Sequence, residues 1–219
     1  MSRIRRIVTA ARGIVRYTWT WIQPVPDSDF WSRPPDLPNR HDAYAYAWPR
    51  SFLLVGLVAP RLPPDARILE IGCNVGRNLE ALRLAGYRDL TGVEISRDAL
   101  DAHRTYYPDS RARLVQADVT RDPLDLPPAD LVFSMAVLMH IPPASEEVVF
   151  RKMATLARRW IISIEDESPE HASLLRYYPR RYDAVWPSLG FEQVEERSCA
   201  DVPGLGAEYV ARVFRRGAG

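Results

Sequence analysis

From residue 51 onward the hydrophobic positions fall into short blocks separated by polar turns. Ser51 to Ala59 is an apolar run of helical length, stopped by Pro60. Ile68-Leu69-Glu70-Ile71 predicts a strand. Arg77 to Ala85 predicts a helix, with Leu79 and Leu82 turned inward and Gly86 ending it. The pattern then repeats: strand 90–95, helix 97–106 capped by Ser96, strand 113–116, strand 131–134, helix 145–157 and strand 160–164. Residues 173–189 read as mostly helical despite Pro179, and strands 191–195 and 208–214 follow. Strands alternating with helices predict an α/β fold. It is a doubly wound, Rossmann-like sheet of seven mostly parallel strands with a C-terminal antiparallel pair.

The first 49 residues differ and are expected to form an N-terminal helical and aromatic extension to a domain spanning 50–219. Ile4, Ile7, Val8, Ala11, Ile14, Val15, Thr18, Trp19 and Ile22 share one face of a helix whose other positions include five arginines. Such a helix packs on its own domain or a partner subunit, lies on an anionic membrane surface, or serves as a transit peptide. Residues 24–49 contain six prolines, which favour extended, turning chain over helix. Phe30, Trp31, Tyr44, Tyr46 and Trp48 make this stretch a strap over the domain, or an aromatic wall of a pocket.

Composition narrows the function. A net charge of +1 offers no diffuse grip on nucleic acid, and removing the basic N-terminus leaves the rest at about −4. Two distant cysteines, Cys73 and Cys199, exclude a disulfide scaffold, and the four histidines lack metal-ligand spacing, so no metal is expected. No apolar run spans a membrane, and a cytoplasmic location is expected. Lys152 is the only lysine, a codon bias that points to a GC-rich bacterial genome.

The informative stretch is Leu69-Glu70-Ile71-Gly72-Cys73-Asn74-Val75-Gly76-Arg77-Asn78, a strand entering a glycine turn and then a helix. Ligands of open parallel sheets bind there. A dinucleotide fingerprint would need its third glycine at Arg77, and a phosphate loop needs a lysine that is absent. Glu70 would repel a pyrophosphate and suits a cation. Glu94 ends the next strand, where a carboxylate can accept two ribose hydroxyls, and Asp118 ends the third, within reach of an adenine amino group.

These motifs resemble the class I S-adenosylmethionine (SAM)-dependent methyltransferases. The family pattern is acidic-x-Gly-x-Gly-x-Gly, with Asn74 here in place of the middle glycine. Ser134-Met135-Ala136-Val137-Leu138-Met139-His140-Ile141-Pro142 resembles the fourth-strand segment of small-molecule methyltransferases, including those of ubiquinone biosynthesis. The resemblance implies SAM as cofactor, with ribose on Glu94 and adenine on Asp118 and the Val119 backbone. It implies further contacts from Glu70, Gly72, Cys73, Asn74, Gly76, Asn78, Ile95, Ser134 and Met135. Arg50 is expected to hold the methionine carboxylate, and His140 to face the methyl group as the candidate base. The expected partner is a small organic acceptor methylated on oxygen or nitrogen, secondary metabolites included, with no nucleic acid. The rival readings are a SAM-binding regulatory module without turnover, a nucleotide-dependent oxidoreductase, and a methyltransferase acting on a peptide or protein. The run from Arg176 to Tyr182 either grips an anion or forms a solvated face.

Overall fold

A computed structural model describes residues 26–32, 41–46 and 48–217. The amphipathic stretch 1–22 lies outside the described residues. In chain order the helices are α1 (Asp27–Trp31), α2 (His41–Ala45), α3 (Trp48–Val58), α4 (Arg77–Leu84), α5 (Arg97–Tyr106), α6 (Pro143–Leu156) and α7 (Tyr182–Val185). The strands are β1 (Arg67–Ile71), β2 (Asp89–Glu94), β3 (Arg113–Gln116), β4 (Ala129–Met135), β5 (Ala157–Asp166), β6 (Phe191–Ser198) and β7 (Tyr209–Arg216). They form one sheet in the order β3-β2-β1-β4-β5-β7-β6. The first five are mutually parallel, and β7 runs antiparallel between β5 and β6. Strand order reverses between β1 and β4, which opens a crevice beyond their carboxyl ends.

Alternation along each strand divides the core in two. Ile68, Leu131, Phe133, Ile162 and Val213 face α3 and α4, where Leu54, Leu57, Leu79 and Leu82 cover them. Leu69, Ile71, Val132, Ile161 and Phe214 face α6, with Val149, Met153, Tyr182 and Trp186 packed over them. Strands buried on both faces read as continuous apolar runs. Element ends follow the local chemistry. Ser96 Oγ accepts the Ala99 N–H at 3.3 Å, and Gly86, at φ +100°, ends α4 by letting the Tyr87 N–H reach the Leu82 carbonyl at 3.0 Å.

Two expectations need correction. Residues 173–189 are not a continuous helix. A 3-10 turn (Pro169–Ser173) gives way to irregular chain, then to α7 and a second 3-10 turn (Trp186–Leu189). Arg176 sits at φ +62°, and the segment bonds elsewhere: Tyr178 N–H donates to the Met139 carbonyl at 2.7 Å, and Arg180 to those of Leu138 and Ile141. The 24–49 stretch is not wholly extended. Among the described residues Pro26 caps α1, and Pro49 sits in the first turn of α3, where no backbone donor is needed. Helix α3 therefore crosses the boundary expected at residue 50.

Trp186 is fully buried, with its ring 5.3 Å from Phe150 and 6.3 Å from Phe214. Trp186→Ala is expected to cost about 3–5 kcal/mol of stability, read as a lowered midpoint in urea at unchanged slope.

Candidate functional site

The turn after β1 is fixed from three sides. Gly72 and Cys73 donate their N–H groups to the Val93 carbonyl at 2.8 and 3.0 Å. Gly72 stands at φ +73°, and a Cβ there would collide with the Val137 side chain from the turn after β4. Asn74 takes φ +49°, the left-handed conformation expected of it. Gly76, at φ +78°, lets α4 start against His103, whose Nδ1–H donates to the Val75 carbonyl at 2.8 Å.

Above this turn lies a cavity of about 240 Å³ bounded by the carboxyl ends of β1, β2, β3 and β4 and roofed by α1 and α2. Glu70, Glu94 and Asp118 all line it, as the sequence motifs suggested. Glu94 is buried and accepts the Asn74 N–H on Oε2 and the Ser96 N–H on Oε1, both at 2.9 Å. Burial raises its pKa, and these backbone donors oppose the rise. Each oxygen keeps a lone pair for a ligand hydroxyl. Asp118 Oδ1 accepts from the Thr120 N–H and hydroxyl at 2.9 and 2.6 Å, and Arg121 stands 3.7 Å from Oδ2. The Val119 carbonyl is held by Lys152 Nζ at 2.8 Å, and the same ammonium holds the Asp122 carbonyl at 2.8 Å. This lysine ties α6 to the loop after β3.

At the β1 end a buried polar chain runs under the cavity. Arg77 donates to Ser51 Oγ (2.8 Å), Asn78 Oδ1 (3.1 Å) and the Tyr44 carbonyl of α2 (3.0 Å). Ser51 donates to Asn78 Oδ1 at 2.7 Å, and Asn78 Nδ2 donates to Glu70 Oε1 at 2.6 Å. Met135 Sδ lies 3.5 Å from Arg77 Nη2. Glu70 Oε2 is buried without a partner, and burial pushes its carboxyl up to about 8. Arg50 also lines the cavity, and its buried Nε–H has no acceptor among the described residues. An unpaired acid and an unpaired guanidinium donor at one end suit an amino acid head group, which carries an ammonium and a carboxylate.

The other end is built on the turn after β4. Ala136 takes φ +57°, and the 3-10 turn Leu138–His140 follows. Glu165, buried at the end of β5, accepts from Ser134 Oγ at 2.8 Å and from the Val137 and Met139 N–H groups at 2.9 and 3.4 Å. Burial raises its carboxyl to about 7. His140 Nδ1 lies 2.8 Å from the Arg176 carbonyl, which can only accept, so Nδ1 carries the proton and neutral His140 keeps a lone pair on Nε2. Burial lowers the His140 pKa. Its ring lies 4.5 Å from Trp31 and 4.7 Å from Tyr177. Helix α1 is pinned over it by Asp27, which pairs with Arg176 and accepts the Tyr178 hydroxyl at 3.1 Å.

Most of the expected site residues line this cavity: Arg50, Glu70, Gly72, Cys73, Asn74, Asn78, Glu94, Ile95, Asp118, Val119, Met135 and His140. Two do not. Gly76 lies beneath the turn against His103, and Ser134 turns its hydroxyl to Glu165. Cys73 borders the cavity, but its thiol belongs to the core. The run 176–182 is consumed internally, with Arg176 on Asp27, Arg180 on Glu146 and loop carbonyls, and Arg181 on Asp183. Sequence reasoning missed Ser51, Arg77 and Glu165. The last carried the same signal as the others, an acid at the carboxyl end of a parallel strand. Among the described residues no group of three His, Cys, Asp or Glu is placed to hold a metal ion, and no helix is long and apolar enough to cross a membrane.

Two outcomes are expected. On the expectation that Glu94 accepts the two ribose hydroxyls of SAM, Glu94→Ala should lose SAM affinity worth about 2–4 kcal/mol in titration calorimetry. Glu165 has a raised folded pKa, so its contribution to stability is complete below about 4.5 and is lost as pH rises toward about 7. Glu165→Gln should therefore raise the melting temperature relative to wild type more at pH 8 than at pH 5.

A search of the curated proteins finds no match. Residues 68–159 match a family profile described as a methyltransferase domain. Among solved structures the chain is similar to magnesium protoporphyrin IX methyltransferase from Synechocystis with bound SAM, at 16% identity and a TM-score of 0.65, covering 89% of this chain and 98% of that one. It is similar to a TehB-like SAM-dependent methyltransferase from Corynebacterium glutamicum, at 19% identity and a TM-score of 0.61, covering 80% and 97%. Human N-acetylserotonin methyltransferase in complex with SAM gives 19% identity and a TM-score of 0.62, covering 81% and 55%. Residues 68–159, from β1 to the start of β5, thus match a methyltransferase domain, and the sheet order around the cavity belongs to the fold shared with these SAM-dependent methyltransferases.

Proposed function

We propose that the protein transfers the methyl group of SAM to oxygen or nitrogen of a small organic acceptor, with residues 50–219 as the SAM-binding methyltransferase domain and the segment before it bordering the site. The observation that carries this reading is the roof. Helices α1 and α2 border the cavity of about 240 Å³, which Glu70 and His140 also line. A folded protein or an extended peptide would need that roof displaced, which disfavours a macromolecular acceptor. The polar atoms left unpaired at both ends of the cavity favour a site for two ligands over a regulatory pocket for one. Two free, buried thiols, Cys73 and Cys199, fit a reducing cytoplasmic setting.

The bound cofactor supplies a methyl group on a cationic sulfur, already activated for in-line displacement, so the protein's task is alignment and exclusion of water. In this reading Glu94 accepts the ribose hydroxyls, and Asp118 with the Val119 backbone holds the adenine edge. Arg50 takes the amino acid carboxylate. A cationic amino group beside Glu70 Oε2 would draw that carboxyl back to its ionised form. His140 Nε2 accepts the acceptor's proton as the new bond forms.

His140→Ala should lower kcat on the order of 10²-fold or more with SAM affinity retained. His140 is buried against Trp31 and Tyr177, faces the Arg176 carbonyl, and feels the acids Asp27 and Asp166, which oppose the larger effect of burial. The wild-type rate should therefore rise with pH through a pKa below 6.5 and then level off, and the variant should lack that limb. Near-wild-type kcat in the variant across this range would leave positioning alone as the mechanism.

A further inference from the structure

The loop between β6 and β7, residues 199–208, lies against Arg50. Two turns shape it: the Val202 N–H donates to the Cys199 carbonyl at 2.9 Å, and the Leu205 N–H to the Val202 carbonyl at 3.0 Å. Val202 is buried in the core layer under α3 with Leu53, Leu54 and Leu57, and Leu205 packs against the same layer. This anchorage brings Gly204, at φ +84°, against the Arg50 side chain in the first turn of α3. A Cβ on Gly204 would lie 3.0 Å from both Nε and Nη2 of Arg50 and 3.4 Å from its Cζ. Glycine is thus required twice, for the left-handed backbone and for the bare surface on which the guanidinium rests. Arg50 lines the cavity, whereas no residue of the loop does. The Arg50 Nε–H has no acceptor among the described residues, so packing on Gly204 rather than a hydrogen bond at Nε sets the tilt of the guanidinium.

Resting on the reading above that Arg50 takes the amino acid carboxylate of SAM, we infer that the β6–β7 loop is the supporting wall of that end of the site and that Gly204 is a positioning residue for Arg50. A guanidinium meets a carboxylate through two parallel N–H···O bonds, a planar fork that tolerates little tilt. The loop is pinned through Val202 and Leu205, so a Cβ at position 204 displaces the flexible end of Arg50 by a few tenths of an ångström. The fork then loses its alignment. The ribose and adenine contacts, made at the ends of β2 and β3 in the same reading, keep their partners.

The test titrates the full chain with SAM and with decarboxylated SAM, which lacks only the carboxylate, in a calorimeter. Gly204→Ala should weaken SAM about tenfold, the size of one charge-assisted pair, and leave decarboxylated SAM within about twofold. Gly204→Asn relieves the backbone strain but keeps a Cβ, so it should weaken SAM as Gly204→Ala does. Gly190 has the same left-handed backbone, at φ +85°, with nothing within 4 Å of an added Cβ. Gly190→Ala should therefore bind both compounds as the wild type does. Arg50→Ala should weaken SAM at least as much as Gly204→Ala, and adding Gly204→Ala to it should change SAM affinity by no more than about twofold. Five results overturn the assignment of Gly204: unchanged SAM affinity in Gly204→Ala, recovery in Gly204→Asn, equal loss of both compounds, an equal loss in Gly190→Ala, or a further loss on the Arg50→Ala background. Wild-type SAM affinity in Arg50→Ala removes the reading of Arg50 on which the assignment rests, and a wild type that binds neither compound removes the methyltransferase reading as well.

Discussion

A buried carboxylate costs several kcal/mol unless something answers its charge, and this sheet buries Glu70, Glu94 and Glu165 at the carboxyl ends of three parallel strands. Each is answered differently. Glu94 takes two backbone amides from the turns around it, and Glu165 takes two amides and a hydroxyl from the turn after β4. Glu70 has one side-chain amide and an open oxygen. The pattern sorts the three by task. Glu165 is spent on holding the turn, Glu94 holds the turn and keeps capacity for hydroxyl donors, and Glu70, its carboxyl pushed up to about 8 by burial, keeps one oxygen that no described group engages. The glycine turn depends on the same arrangement, because Glu94 fixes Asn74 where its backbone is left-handed.

The sheet was legible in the sequence because its signals are local. Strands buried on both faces give apolar runs, Gly86 and Ser96 punctuate helices, and the acids Glu70, Glu94 and Asp118 mark strand ends. Legibility failed where the chain bonds to distant segments. Residues 173–189 carry helical periodicity, yet Tyr178 and Arg180 spend their donors on the turn after β4, about 40 residues away in sequence. No periodicity reports such a partner. Proline counting likewise flattened 24–49 into extended chain, because composition does not say that Pro26 and Pro49 stand where a helix tolerates them. The cavity floor was readable from motif spacing. The Arg77–Ser51–Asn78–Glu70 chain was not, since it joins α3, α4 and β1 only in three dimensions.

The roof and the floor are mechanically joined. Arg77 reaches from the start of α4 to the Tyr44 carbonyl of α2, and Asp27 of α1 reaches down to Arg176 and Tyr178, beside the histidine. Both links are charge-assisted and partly shielded from water, the circumstance in which such bonds are strongest. The aromatic segment is thereby fastened at the two ends of the cavity, near Glu70 and near His140, and its rings are presented to whatever lies between.

Lys152 gives this chain an unusual chemical economy. Amine-directed reagents meet one ε-ammonium group in 219 residues, and that group clamps the carbonyls of Val119 and Asp122 in the loop after β3. Acylation can proceed only when the clamp lets go. The rate at which a single nitrogen is labelled thus becomes a clock for loop opening, and a ligand that tightens the loop slows the clock without any dye or tag being introduced.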